Sequence, residues 1–157
     1  MSTLEKAIRI ASRAHEGVKD KQGQPYILHP LRVMLGCDDP DAQIVAILHD
    51  VVEDTDVTHD DIKKDGFSES ILAALRLVTH SRRDSYADYV IRCKADPLAR
   101  AVKLADLQDN ARLTRVMMRP DQLDRDLSRV KKYLLSYRYL CDEISEAEYR
   151  KAMKSSD

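Results

Sequence analysis

The stretch Ile44-Val45-Ala46-Ile47-Leu48-His49-Asp50-Val51-Val52 constrains this chain more than any other. Asp39-Pro40 opens a helix there that runs to about Asp54, with Pro40 at a position where its missing N–H costs nothing. Apolar residues surround that helix on nearly all sides, so it must lie at the centre of a fold with other elements packed around it. Only 4 Gly and 5 Pro occur in 157 residues, too few for the tight turns of a sandwich or barrel. The expected fold is therefore all-α, one compact multi-helix domain over residues 1–157 with its tail from about residue 143 at the periphery.

The rest of the chain supplies the shell. Helices are expected over roughly 3–16, from His29-Pro30 to Gly36, from Thr58 to Lys64, from Ser68 to Val78 and over 85–94. A further helix is expected from Asp96-Pro97 to Thr114. The last long one runs from Pro120 or Asp121 to Tyr139, with Leu123, Leu127, Val130, Leu134 and Tyr137 as its apolar stripe, and a weak helix that frays follows it. Gly17–Tyr26 is polar, carries Gly and Pro, and reads as a loop.

The charges nearly cancel, 26 Lys+Arg against 27 Asp+Glu, which leaves no electrostatic footprint for nonspecific nucleic-acid or membrane-surface binding. No run approaches a membrane span and the N-terminus is not a signal peptide. Cys37, Cys93 and Cys141 are scattered and odd in number, so they read as reduced thiols of a cytoplasmic chain. The sequence leaves the oligomeric state open.

The chemistry concentrates where polar residues interrupt apolar helices. His49, Asp50, Glu53 and Asp54 share adjoining parts of one helical surface. Three carboxylates crowded beside a core repel one another, and a divalent metal offsets that cost economically. The plain alternative is an acidic helix end in solvent. His29 sits between apolar residues at a helix start and is either a core residue or a ligand. Lys103, Asp106 and Asn110 fall on one helical face, where Lys103 and Asp106 form either an ion pair or part of a site. Together His29, His49, Asp50 and Asp106 make a hard N/O donor set suited to Mn²⁺, Fe²⁺ or Zn²⁺. Such an ion would bind a phosphate oxygen and activate a water, with Glu53 and Asp54 placed to orient or deprotonate that water.

These residues, in the order H…HD…D, resemble the signature of the HD-domain metal-dependent phosphohydrolases. The resemblance extends to Gly23-Gln24-Pro25-Tyr26-Ile27-Leu28-His29-Pro30, Leu48-His49-Asp50-Val51-Val52-Glu53-Asp54-Thr55 and Val102-Lys103-Leu104-Ala105-Asp106, which look like the hydrolase domain of the Rel/SpoT alarmone enzymes. It implies an HD-type helical bundle holding one Mn²⁺ on His29, His49, Asp50 and Asp106. It implies removal of the 3′-pyrophosphate from (p)ppGpp to give GDP or GTP. Glu53 and Asp54 would then serve the water, and Lys21, Lys103 and Asn110 would contact the nucleotide. Because the family's synthetase half lies C-terminal to this domain and this sequence stops, a stand-alone hydrolase is expected.

Two departures fall on substrate contacts. The family's Arg-Lys-Ser-Gly loop, whose Arg packs on the guanine, is Asp20-Lys21-Gln22-Gly23 here, and Arg-Leu-His-Asn after the metal Asp is Leu107-Gln108-Asp109-Asn110. An adenine nucleotide is therefore an open alternative. So are an HD-type 5′-nucleotidase or phosphomonoesterase and a non-catalytic nucleotide-binding helical module. His15, His59 and His80 are not assigned to the site, and His59 and His80 are expected in solvent.

Overall fold

The computed structural model describes residues 3–81 and 83–154. Nine α-helices lie within them: α1 (Leu4–Ala14), α2 (Leu28–Leu35), α3 (Pro40–Asp54), α4 (His59–Lys64), α5 (Glu69–Val78), α6 (Tyr86–Lys94), α7 (Pro97–Asn110), α8 (Leu123–Leu140) and α9 (Glu146–Lys154). A 3₁₀ turn, Pro120–Gln122, leads into α8. Among the described residues there is no β-strand, only an antiparallel bridge from Lys19 to Pro25 that closes the loop after α1. No helix among them is long and apolar enough to cross a membrane.

α3 is the central helix that its apolar run requires. Every residue from Ile44 to Val51 is buried, and α1, α2, α5 and α7 pack around it. Each buried Val, Leu or Ile contributes about 1.5–3 kcal/mol. That burial carries His49 and Asp50 inward with the aliphatic residues. The helix starts follow their side-chain caps: Thr3, Asp39, Thr58, Ser68, Ser85 and Asp96 each accept a hydrogen bond from a backbone N–H of the first turn. α2 crosses α7 closely at Gly36, where a Cβ would sit 3.3 Å from Cβ of Ala105. From this close approach at its end, α2 runs back so that His29 of its first turn meets Asp106 and Asp109 of α7, and the site is built there.

Several boundaries differ from expectation. Pro30 is the third residue of α2, not the first, which the helix tolerates because first-turn N–H groups have no intrahelical partner. α7 stops at Asn110 instead of Thr114, and Arg112 and Arg115 follow its end with their side chains turned back toward Asp109. The apolar stripe of α8 is not its buried face. Leu123, Leu127 and Leu134 are exposed, whereas Ser136, Tyr139 and Leu140 are buried.

The helix expected to fray explains that reversal. α9 packs on α8 and α6, with Tyr149 fully buried, its ring stacked 4.7 Å from that of Tyr139 and its hydroxyl bonded to Ser136 Oγ at 2.8 Å. Tyr149→Ala is expected to cost about 3–5 kcal/mol of unfolding free energy, in the range of other large aromatic truncations. Urea unfolding monitored by circular dichroism measures it, and a loss under about 1 kcal/mol would show that α9 contributes little.

Candidate active site

Three helices converge on one polar cluster. His29 comes from the first turn of α2, His49 and Asp50 from α3, and Asp106 from α7, all buried. His29, His49 and Asp50 each offer a ligand atom within 4.8 Å of the others. Asp106 Oδ1 lies 3.2 Å from His29 Nε2 and 3.8 Å from His49 Nε2. Asp50 closes the group, with Oδ1 3.0 Å from His49 Nε2 and Oδ2 3.5 Å from His29 Nε2.

Neighbouring groups hold these residues in place around the centre. His49 Nδ1 donates to the Ala46 carbonyl at 2.6 Å, and Nε2 is buried with no hydrogen-bond partner. Tyr26 donates its hydroxyl to Asp50 Oδ2 at 2.7 Å, within 3.3 Å of Asp54 Oδ2. Lys103 Nζ donates to Asp106 Oδ2 and Asn110 Nδ2 to Oδ1, each at 2.7 Å. Two imidazole nitrogens and two carboxylates facing one point, one nitrogen without a partner, are the donor set a divalent cation accepts. The residues fit a metal ion.

The electrostatics agree. Burial pushes the Asp50 carboxyl up, but the neighbouring His49 outweighs it and holds the pKa at about 2. Asp106 likewise lies well below the usual carboxylate range, with Lys103 the main offset to its burial. Burial disfavours the charged forms of His29 and His49, yet the adjacent aspartates raise both pKa values above that of free imidazole. Glu53 and Asp54 shift the other way, raised by partial desolvation against the cavity wall and then by the charge of Asp50.

The raised histidine pKa values set a sign for the metal-free protein. Their protonated forms contribute stability below the unfolded value near 6.5, and that contribution is lost as pH rises through the folded values. A metal needs the bare Nε2, so binding must release protons and tighten as pH rises through the raised histidine values. Calorimetry in buffers of different ionisation enthalpy measures the release. Binding with no proton exchanged would contradict it.

Above the cluster opens a cavity of about 220 Å³, lined by the four residues of the cluster together with Tyr26, Glu53, Asp54, His80, Tyr86, Tyr89, Lys103, Asn110, Arg115 and Tyr133. Glu53 and Asp54 are exposed on its wall, and Glu53 accepts the His80 backbone N–H at 2.9 Å. Of the expected site residues, only Lys21 is not on the lining. It is exposed on the loop after α1, near enough to Arg129, Arg119 and Arg125 to feel their charges. Lys103 is buried, pairs with Asp106 and also lines the cavity, 4.8 Å above the Tyr89 ring.

Asp20 does different work from the Arg whose place it takes. Its Oδ1 accepts from the backbone N–H groups of Gln22 and Gln24, both at 2.9 Å, and so shapes the turn that Gly23 completes at φ +79°. His80, expected in solvent, lies on the cavity wall with its ring 4.8 Å from Tyr89, and His59 is half-buried. Sequence reasoning counted Asp109 among the departures at substrate contacts, whereas it is buried directly behind His29. An acid near the end of the buried face of α7 was the available signal.

An all-α fold presenting His, His-Asp and Asp from three helices beneath a polar cavity defines an HD-type site. No family model matches the chain. Among curated proteins it is 33% identical over 133 residues to a GTP pyrophosphokinase of Streptomyces coelicolor, covering 76% of this chain and 16% of that protein. It is 32% identical over 121 residues to a guanosine-3′,5′-bis(diphosphate) 3′-pyrophosphohydrolase of Aquifex aeolicus, covering 69% of this chain and 17% of that one. The chain thus spans about a sixth of the length of these relatives. A solved structure of a metazoan orthologue of SpoT, described as hydrolysing ppGpp and acting in starvation responses, superposes with a TM-score of 0.70. That alignment has 22% identity and covers 99% of this chain and 94% of the other, a likeness that establishes the fold. The chain is a homologue of the HD-type hydrolase domain of the Rel/SpoT alarmone enzymes.

Proposed function

We propose that this chain holds one divalent ion, Mn²⁺ by preference, on His29, His49, Asp50 and Asp106, and hydrolyses the 3′-pyrophosphate of a (p)ppGpp-like nucleotide. The products are GDP or GTP and pyrophosphate. The observation that carries the reading is the convergence of those four side chains at the base of a cavity whose wall bears two further acids, Glu53 and Asp54. A purely structural metal site has no use for those acids. Support for the substrate comes from relatives named guanosine-3′,5′-bis(diphosphate) 3′-pyrophosphohydrolase.

An ion held by His29, His49, Asp50 and Asp106 would supply Lewis-acid charge to a phosphate oxygen and acidify the attacking water. The chain's own residues do the rest. Glu53 takes the proton of the attacking water, and its raised pKa brings proton transfer closer to neutral pH. Asp54 orients the same water, and Tyr26 keeps Asp50 and Asp54 in fixed relation through its hydroxyl. Lys103 and Asn110, each anchored on Asp106, face the 3′-phosphates from the cavity wall. Lys21 meets phosphates that extend beyond the cavity. The new P–O bond forms from water as the bond to the ribose 3′ oxygen breaks, and that oxygen leaves as a hydroxyl with the proton that Glu53 took from the water.

The test is a panel of guanosine and adenosine 3′-pyrophosphate nucleotides incubated with Mn²⁺, with products separated by anion exchange. Intact pyrophosphate released from the guanosine compound is the expected result. Orthophosphate alone would favour a phosphomonoesterase. Turnover of the adenosine compound in preference would move base choice away from guanine, as the commitment of Asp20 to its own turn allows. No turnover of either would leave a binding module.

A further inference from the structure

Asp109 is 4% exposed and lies behind the metal cluster on the face of α7 turned to α2. Its Oδ2 accepts from His29 Nδ1 at 2.7 Å, from Arg115 Nη1 at 2.6 Å and from Arg32 Nη2 at 3.2 Å. Its Oδ1 accepts from Arg32 Nε at 2.6 Å, and Arg112 Nη1 stands 3.6 Å away. One carboxylate thus gathers a metal-facing histidine from α2 and three arginines from α2 and the segment after α7.

Two consequences follow from the geometry. An ionised carboxylate can only accept, so His29 must carry its proton on Nδ1. In the neutral ring that a metal would take, Nε2 is then the bare nitrogen, on the opposite side of the ring where Asp106 and Asp50 stand at 3.2 and 3.5 Å. Arg115 is the second. It lines the cavity and is tied at its carbonyl to the Gln22 side chain, yet its guanidinium is steered by Asp109. A single arginine would neutralise a buried aspartate, and three arginines plus the imidazole make Asp109 a junction instead.

We propose that Asp109 is a positioning residue that fixes the tautomer and ring orientation of His29 for the metal and holds Arg115 on the wall of the same cavity. Metal ligand and cationic substrate contact are thereby set by one side chain. The inference rests on the cluster being a metal site, and its test separates the two claims.

Asp109→Asn keeps the shape and removes the charge. The experiment measures Mn²⁺ affinity of the stripped wild type and variant by calorimetry, with circular dichroism to confirm the fold, and then KM at saturating Mn²⁺. Loss of such an orienting partner is expected to weaken Mn²⁺ binding by about 10–100-fold. KM at saturating metal should rise to the level of Arg115→Met, which itself binds Mn²⁺ as the wild type does. A Kd for Mn²⁺ within about twofold of wild type, with only the melting temperature lowered, overturns the inference and leaves the metal site standing. A wild type that binds no Mn²⁺ overturns both.

A second measurement needs no variant and covers the case in which Asp109→Asn does not fold. In the wild type loaded with diamagnetic Zn²⁺, long-range ¹⁵N–¹H correlation is expected to place the His29 proton on Nδ1 in slow exchange with solvent. A bare Nδ1 would overturn the inference.

Discussion

Replacing His49 or Asp50 with alanine is expected to remove metal binding and turnover together. His49 Nε2 is buried, faces Asp50 Oδ1 at 3.0 Å and makes no hydrogen bond among the described residues. Its Nδ1 is already given to the Ala46 carbonyl, so the ring cannot turn over to compensate. Asp50 is held by Tyr26 with its inner oxygens against both histidines. Either deletion leaves a donor set short of one member in a cluster that has no spare. Metal content should fall from about one ion per chain to near zero, with activity down by at least ~10³-fold. The stabilisation that added Mn²⁺ gives the wild type should vanish as well, since an ion bound only by the folded chain stabilises it by mass action. Inductively coupled plasma mass spectrometry and thermal melts with and without Mn²⁺ measure these effects. A His49→Ala chain that keeps stoichiometric metal would remove His49 from the ligand set.

Glu53→Gln should separate chemistry from metal binding. Glu53 is one turn beyond His49 on α3, exposed on the cavity wall, where it accepts the His80 backbone N–H. It stands outside the cluster of His29, His49 and Asp50, so the variant should still carry about one ion per chain. The amide oxygen can accept the same His80 bond, and one of three neighbouring negative charges disappears, so stability should hold or rise slightly. Turnover should nonetheless fall by roughly 10²–10⁴-fold, the usual worth of a positioned general base. Metal content and kcat on one preparation decide it. Loss of metal as complete as in His49→Ala would make Glu53 a ligand, and full activity with full metal would assign the water to Asp54.

The parts legible in sequence were those governed by local rules. α3 announces itself because an apolar run long enough to be buried on all sides has only the centre to occupy, and His49 and Asp50 travel with it. The cap residues Asp39, Thr58, Ser68, Ser85 and Asp96 mark helix starts because each satisfies a backbone N–H within its own first turn. What depends on a partner far along the chain was not legible. The periodic leucines of α8 mark an apolar face, but the buried face is the one that α9 covers through Tyr149, and periodicity cannot choose between them. His80 sits in a polar segment and reads as solvated, yet α6 brings Tyr86 and Tyr89 against its ring. Asp109 meets His29 across 80 positions of sequence, and nothing local to either residue reveals the bond. Where the resemblance to the Rel/SpoT domain stops, at Asp20 and Asp109, each acid has its own structural task, one closing a turn and the other joining α2 to α7.

Metal titration tests the central claim most directly. The wild-type chain is stripped with a chelator, back-titrated with Mn²⁺, and assayed at each point for pyrophosphate released from guanosine 3′,5′-bis(diphosphate). Activity should be absent in the stripped protein, rise in proportion to bound metal, and level off at about one ion per chain, the capacity of a single cluster of two histidines and two aspartates. Full activity in protein shown to contain no metal would contradict it.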